Sequence, residues 1–262
     1  MILLIDVGNT RIKWATVDNL VLAPTVASTV APLWLDQGSV SHVEMSALQV
    51  TWAGLPISRI VISNVAGEQI QHALILLLAN CVAGVKPEQF ISSSQCAGLA
   101  NTYQQAAQLG CDRFASAIAA HALFPQRALL VVTCGTATTI DAVTADGTFI
   151  GGMILPGLQL MAQSLAKNTA QLPQIAESIS MHQIFADNTD QAITSGCINA
   201  QVGAIIRAYE TLAGMRAHPV SCIISGGAAK FLTPHLRIDF QHIENLVLTG
   251  LCIVAKSTQE SY

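Results

Sequence analysis

One pattern occurs twice in this chain: an apolar run that stops at a glycine–threonine turn and resumes as a second run. Residues 2–6 (Ile-Leu-Leu-Ile-Asp) stop at Gly8-Asn9-Thr10, and 12–17 (Ile-Lys-Trp-Ala-Thr-Val) resume with partial alternation. Residues 128–133 (Ala-Leu-Leu-Val-Val-Thr) stop at Gly135-Thr136, and 138–143 resume. Each reads as strand, tight turn, strand. The turns fall at positions 8 and 135 of 262, about half a chain apart. Spacing alone leaves two readings open. Either hairpins recur by chance, or an α/β domain with a phosphate-gripping hairpin is duplicated. No Pro/Gly-rich linker marks a boundary. It is placed between 115 and 126, giving domains 1–118 and 119–262.

The rest of the chain fits alternation of strands and helices. Residues 59–65 form a third apolar run, and 68–79 carry Ile70, Leu74, Leu77 and Leu78 at helical spacing. An Ala-rich helix is expected over 113–124 and a strand over 149–154. Helices follow over 158–167 and 189–212, then a strand over 220–225 that ends at Gly226-Gly227. A last helix is expected over 243–256. Residues 19–58 yield no functional reading. With 52% hydrophobic and 11% charged residues, the chain can bury enough surface to offset its chain entropy, which excludes disorder. A net charge of −4 with twelve Lys and Arg leaves no basic stripe for nucleic acid. Mean hydropathy is high at +0.50. Yet the longest uncharged stretches, 19–35 and 69–85, are short and broken by prolines or polar residues, against about 20 apolar residues for a span. Residues 1–6 lack the basic start of a signal peptide. The seven cysteines form no C-x-x-C pair. A cytoplasmic protein with free thiols is expected, its surplus apolar surface available for a subunit interface.

Four constellations could carry chemistry. Asp6-Val-Gly-Asn-Thr10-Arg11-Ile-Lys13 places an acid at a strand end before a turn rich in N–H donors. Gly8 would allow close approach and positive φ. Turn amides and the Thr10 hydroxyl could bind phosphate oxygens. Arg11 or Lys13 could neutralise charge, and Asp6 could hold Mg²⁺ directly or through water. An ordinary hairpin with a solvated basic strand is the competing reading. Thr133-Cys-Gly-Thr136 could contact phosphate too, though Thr-rich strands are common for their β propensity. Gly110-Cys-Asp112-Arg113 opens a helix. Asp112 is either an N-cap or a base accepting a substrate hydroxyl proton, a task that in phosphoryl transfer asks for positioning more than basicity. Ser225-Gly-Gly-Ala228 is either a strand-to-helix turn or a flat place for adenine.

Taken in order, these segments resemble a known family. The set is Asp6-Val-Gly-Asn-Thr10, Asn101-x-Tyr103, Leu109-Gly-x-Asp-Arg113, Gly135-Thr136-Ala-x-Thr-x-Asp141, Gly151-Gly-x-Ile-x-Pro-Gly157, Thr189…Ser195-Gly196 and Ser225-Gly-Gly227. It resembles type III pantothenate kinase from residue 1 to about 250. The Leu-Gly-x-Asp-Arg and Gly-Gly-x-Ile-x-Pro-Gly segments are the more specific ones.

The resemblance implies an α/β fold of two duplicated ribonuclease-H-like (actin-like ATPase) domains with an interdomain cleft. It implies ATP-dependent phosphorylation of the pantothenate 4′-hydroxyl, the first committed step of coenzyme A synthesis, by a homodimer. By motif, Asp6, Val7, Gly8, Asn9, Thr10, Arg11, Ile12, Lys13 and Thr136 would bind ATP, with Asp6 oriented to Mg²⁺. Tyr103, Gly110, Cys111, Asp112, Arg113 and Thr189 would bind pantothenate, Thr189 from a second subunit or a domain edge. Asp112 would accept the proton. Tyr103 could instead be a half-buried loop aromatic, and Thr189 a helix N-cap. Many family members carry Asp at the position of Thr133, where it helps hold K⁺ or NH₄⁺. A neutral hydroxyl is a weaker ligand, which puts that cation site in question here. Two alternatives remain: an accessory regulatory protein that retains the ATP fold, and a kinase of another small hydroxyl substrate.

Overall fold

The computed structural model describes residues 1–18, 33–82, 84–168, 181, 183–215 and 219–257. The chain divides into two compact units. Unit 1 comprises Met1–Pro125, Gly147–Phe149 and Asn245–Tyr262, and unit 2 comprises Gln126–Asp146 and Ile150–Glu244. A cut at 118/119 would fall inside a helix that runs unbroken over Cys111–Leu123. The C-terminal helix belongs with unit 1 rather than with the second half of the sequence.

Unit 1 is built on β1 (Ile2–Val7), β2 (Arg11–Val17), β3 (Asp36–Ser41), β4 (Arg59–Asn64) and β5 (Glu88–Gln89), in the order β3-β2-β1-β4-β5. β1 is central and all six of its residues are buried, so Ile2–Ile5 read as a continuous apolar run rather than an alternating one, with Asp6 the one polar residue. It pairs antiparallel with β2 and parallel with β4. Leu3, Ile5 and Val7 join α1 (Ala47–Trp52) and α2 (Glu68–Cys81) in one core through Leu48, Trp52, Leu74 and Leu78. Trp14 meets Trp52 edge-on, with ring centroids 6.0 Å apart. Gly38 lies opposite Trp14 in β3, where a Cβ would come within 2.8 Å of the indole nitrogen. α3 (Cys111–Leu123) and α7 (Leu246–Ser257) complete the unit and touch β4 and β1. They cross so closely that a side chain at Gly250 would collide with the Ala115 carbonyl. β6 (Gln95–Cys96) and β7 (Leu99–Asn101) form a small hairpin, and β7 runs parallel to Thr148–Phe149.

Unit 2 repeats the plan. β8 (Ala128–Cys134) is flanked by β9 (Ala137–Val143) and β11 (Val220–Ser225), with β10 (Thr148–Pro156) beyond β9 and β12 (Phe240–His242) beyond β11. β8 pairs antiparallel with β9 and parallel with β11, as β1 does with β2 and β4. The recurrence of Gly8 and Gly135 is therefore a repeated topology. α4 (Leu158–Asn168), α5 (Thr189–Met215) and α6 (Ala229–Leu232) pack against this sheet around Leu130, Val132, Ile198, Ile205 and Ile224. The expected strands and helices outside 19–58 all appear, with ends shifted by a few residues. Within 19–58 the structure adds β3 and α1, while 19–32 lie outside the described residues. Among the described residues no helix is long and apolar enough to cross a membrane.

Candidate active site

The β1–β2 hairpin closes through the Gly8 N–H donating to the Arg11 carbonyl at 3.0 Å, leaving Asn9 and Thr10 exposed at the tip. Gly8 is not in the left-handed region, contrary to the sequence expectation. A Cβ there would meet only the Arg11 carbonyl, at 3.4 Å. The turn therefore does not need a glycine for its φ. The small residue keeps the backbone open. His42 braces the turn from β3's end, its Nε2 2.9 Å from the Gly8 carbonyl. Arg11 lies along β3, donating from Nε to the Ser39 hydroxyl at 2.8 Å and from Nη2 to the Ser39 carbonyl at 3.0 Å. Val7 and Ile12 face each other in the core, so only their backbones are available to a ligand.

Asp6 is cross-strand from Lys13 on one side and Ser63 on the other. Alternation puts it on the face of β1 opposite Leu3, Ile5 and Val7. Its carboxyl is buried, and burial pushes its pKa up to about 7, against the pull of Lys13 and helped by the negative charge of Asp112. Asp112 sits in the first turn of α3. Gly110 is the residue before the helix, so Asp112 is not the N-cap. Its Oδ1 accepts the Arg113 N–H at 2.8 Å. Burial raises its pKa as well, with the Arg113 N–H and guanidinium pulling the other way. Two carboxyls thus share one poorly solvated place, an arrangement that attracts a cation or a proton. Gly110 makes room for the second: a Cβ there would stand 2.7 Å from Asp112 Oδ1.

Arg113 is buried and points the other way. Its Nη1 donates to the Tyr103 hydroxyl at 3.0 Å, and its guanidinium carbon lies 5.8 Å from the ring centroids of Tyr103 and Phe149. Tyr103 is held by a residue to which sequence reasoning gave no role. The Asn101 side chain accepts the Tyr103 N–H at 3.0 Å and donates to the Ser93 and Ala106 carbonyls, both at 3.1 Å. The Asn101-x-Tyr103 spacing was its only signal. Cys111 turns toward β4, where Ser63 donates to its sulfur at 3.2 Å. Unit 1 thus brings together Asp6, the 8–13 turn, Tyr103 and 110–113.

The remaining residues lie in unit 2. Thr136 is exposed at the β8–β9 turn, where its carbonyl accepts the Gly157 N–H at 2.9 Å. Gly157 and Gly226 (φ +98°) both approach this turn so closely that a side chain would strike the Gly135 and Thr136 carbonyls in one case and Cys134 in the other. Thr133 is half-buried between Thr139 and Ser225. Thr189 is exposed at the start of α5, and the cap is its neighbour: Asn188 Oδ1 accepts the Gln191 N–H at 3.0 Å.

The model of one family, type III pantothenate kinase, matches residues 2–211. The chain belongs to the type III pantothenate kinase family. A family member from Janthinobacterium sp. is 52% identical, with 97% of each chain covered. One from Herminiimonas arsenicoxydans is 51% identical over 98% of each. Solved structures share the fold at low identity. A Campylobacter jejuni protein described as a Baf family transcriptional activator superposes with a TM-score of 0.61 at 19% identity, covering 98% of this chain and 99% of its own. A Sinorhizobium meliloti protein described as a 2-dehydro-3-deoxygalactonokinase gives 0.58 at 10% identity, covering 99% of each. The fold is that of the actin-like ATPases and sugar kinases, two ribonuclease-H-like halves, as the repeated sheet topology requires.

Proposed function

We propose that this protein transfers the γ-phosphoryl group of ATP to the 4′-hydroxyl of pantothenate, the first step of coenzyme A synthesis, with Asp112 accepting the hydroxyl proton. The single observation that carries the assignment of the base is the half-buried Asp112 carboxyl in the first turn of α3, raised in pKa by desolvation and near enough to Asp6 for its charge to raise that group's pKa. Phosphoryl transfer leaves little covalent work to the protein, so the roles are positioning and charge stabilisation. The amides of residues 8–11 and the Thr10 hydroxyl would cradle phosphates, with Lys13 supplying charge and Thr136 a second contact. Arg113, stacked between two rings, suits the pantothenate carboxylate or the transferring phosphoryl group by its fork geometry. Tyr103 and residues 110–111 would complete the pantothenate site, and Thr189 would add to it.

The donor set suits a hard divalent ion, because carboxylate oxygens are the ligands Mg²⁺ takes and the buried Asp6 carboxyl, whose charged form burial disfavours, would gain from a cation beside it. Asp6 would hold Mg²⁺, directly or through water, and the ion would neutralise phosphate charge. The Thr133 hydroxyl fits a K⁺ or NH₄⁺ site poorly, so monovalent stimulation should be modest. A homodimer is part of the reading. Met153, Ile154, Leu160, Leu165 and Phe185 of unit 2 are exposed, Phe185 at 91%, and apolar surface of this kind is usually covered by a partner. All seven cysteines are free, in keeping with the cytoplasm.

The deciding experiment measures ADP release from Mg·ATP with and without pantothenate, at low and high K⁺, beside Asp112→Asn. Pantothenate-dependent release that disappears in the variant is expected. Release stimulated by a simple sugar or acetate instead would move the protein to another substrate. No stimulation by any of them, from folded protein that binds ATP, would favour a regulatory role.

A further inference from the structure

The buried stripe of α5 holds one residue that its apolar pattern does not call for. Ile198, Val202 and Ile205 recur at helical spacing and pack into the core of unit 2. Among them stands Gln201, with none of its surface exposed. A buried amide costs stability unless its hydrogen bonds are made. Those of Gln201 are made. Its Oε1 accepts the Thr138 hydroxyl at 2.9 Å, and its Nε2 donates to the Pro156 carbonyl at 2.9 Å and to the Met161 sulfur at 3.5 Å. Thr138 is itself fully buried.

Both oxygen partners are attached to the β8–β9 turn. Thr138 pairs with Cys134, the last pair of the ladder before Gly135-Thr136. Pro156 ends β10, and the next residue, Gly157, donates its N–H to the Thr136 carbonyl at 2.9 Å. One amide thus clasps two pieces of chain that frame Thr136: the strand that leaves the turn and the segment seated on its carbonyl. A methionine would fill the same space in the stripe but has no donor for Pro156. What the amide adds is a fixed relation between α5 and the turn, as satisfied buried polar networks do.

We propose that Gln201 is a positioning residue for the nucleotide: it holds the β8–β9 turn so that Thr136 meets ATP, a role that rests on the reading of Thr136 as an ATP contact. Gln201 is buried and acts only through the turn.

The test measures Mg·ATP affinity directly on the full-length protein, without pantothenate, beside thermal melts. Gln201→Met keeps the volume and removes the donor. It should weaken ATP binding about fivefold or more, near the value of one net hydrogen bond, and change the pantothenate KM less than about twofold. Thr138→Val combined with Gln201→Met makes both ends of the inner bond apolar, so it should regain stability lost in Gln201→Met. Its ATP affinity should stay low, because Pro156 is still not held. A purely structural Gln201 would give the opposite, an affinity that returns with stability. On a Thr136→Ala background Gln201→Met should weaken ATP binding by less than about a further twofold, since the path runs through Thr136. Affinity that follows stability, affinity unchanged in both variants, or full additivity with Thr136→Ala would overturn the proposal. Should Gln201→Met not fold, the affinity of the double variant against wild type decides. Wild-type protein that binds ATP and ignores pantothenate would overturn the substrate reading and leave this test intact. Wild-type protein that binds no ATP would overturn both.

Discussion

In unit 1 the strand that runs into Gly8 carries Asp6, paired across the sheet with Lys13 and Ser63. In unit 2 the strand that runs into Gly135 carries Thr133 at the same place, paired with Thr139 and Ser225. The scaffold is the same and the charge is not. Unit 1 buries the Asp6 carboxyl at that place, while unit 2 puts hydroxyls at Thr133 and its partners Thr139 and Ser225 and buries its own carboxyl, Asp141, further along β9. The turns differ in tightness too. The first is open, with Gly8 at ordinary φ. The second is hemmed in by Gly157 and Gly226, both in contact with its carbonyls. The first hairpin thus carries its carboxyl next to an open turn, and the second has a neutral residue there and closely approached backbone.

The largest effect expected is at Asp112, whose charge reaches Asp6. Asp112→Asn should lower turnover about 10²–10⁴-fold, the usual range for a general base, with ATP affinity retained in a direct binding assay. Near-normal turnover would break the assignment and with it the functional contrast between the units.

Asp6 gives a pH signature. Burial raises its pKa from 3.8 to about 7, so the folded state holds a proton that the unfolded state has already lost. Its contribution to the stability of the metal-free protein therefore declines as pH rises from about 4 to about 7 and is level above that. Asp6→Asn should raise metal-free stability at pH 8 by about 1–4 kcal/mol relative to wild type, with little gain at pH 4, and should abolish the response of turnover to Mg²⁺. Denaturant melts at the two pH values check the first statement and a Mg²⁺ titration the second. Equal wild-type and variant stability at pH 8 would show that Asp6 is well solvated.

The two turns can be compared by the same substitution. Gly226→Ala places a side chain at φ +98° against Cys134 and should cost on the order of 3 kcal/mol. Gly8→Ala, with ordinary φ and one contact at 3.4 Å, should cost less than about 1 kcal/mol. Similar losses in thermal melts would erase the difference in tightness. A smaller effect is expected at Asn101. Asn101→Asp keeps the acceptor for the Tyr103 N–H and loses both donor bonds, to Ser93 and Ala106, and should raise the pantothenate KM at least about tenfold, since each net hydrogen bond is worth about 1 kcal/mol, with kcat little changed. A fall confined to kcat would argue against a positioning role through Tyr103. Smallest of all, Thr133→Asp makes unit 2 resemble unit 1 and should increase a modest K⁺ stimulation severalfold, about 1 kcal/mol of added cation binding. A strict K⁺ requirement in the wild type would show that the hydroxyl and backbone suffice.

Much of the fold was legible because its signals are local. Apolar runs broken at Gly-Thr turns specify hairpins, and the 3.6-residue spacing of Ile70, Leu74 and Leu77 specifies α2. β3 escaped notice because Asp36–Ser41 is a polar edge strand held by its ladder to β2, by Arg11 on Ser39 and by Gly38 under Trp14, contacts that depend on residues about 25 positions away. The division into units was illegible for another reason: nothing in the apolar run 246–255 says which sheet it will cover, and Gly250 reveals its partner only once Ala115 lies against it. Within unit 1, the Leu-Gly-x-Asp-Arg and Asp-x-Gly-Asn-Thr segments named residues that the fold brings near one another, Asp6 and Asp112. His42 and Asn101 were passed over because each acts on backbone distant in sequence.

By itself, then, the sequence determined which residue types stand at each turn, the repeated strand–turn–strand plan and the family, since all three are written in short-range order. Tertiary structure decided what those residues are electrostatically. Asp6 and Asp112 are separated by about a hundred positions, and each is an ordinary carboxylate in an extended chain. Only when β1 and the N-terminus of α3 come near each other does water leave Asp6 and thin around Asp112, and only then does the Asp112 charge act on Asp6 at a dielectric low enough to move its pKa.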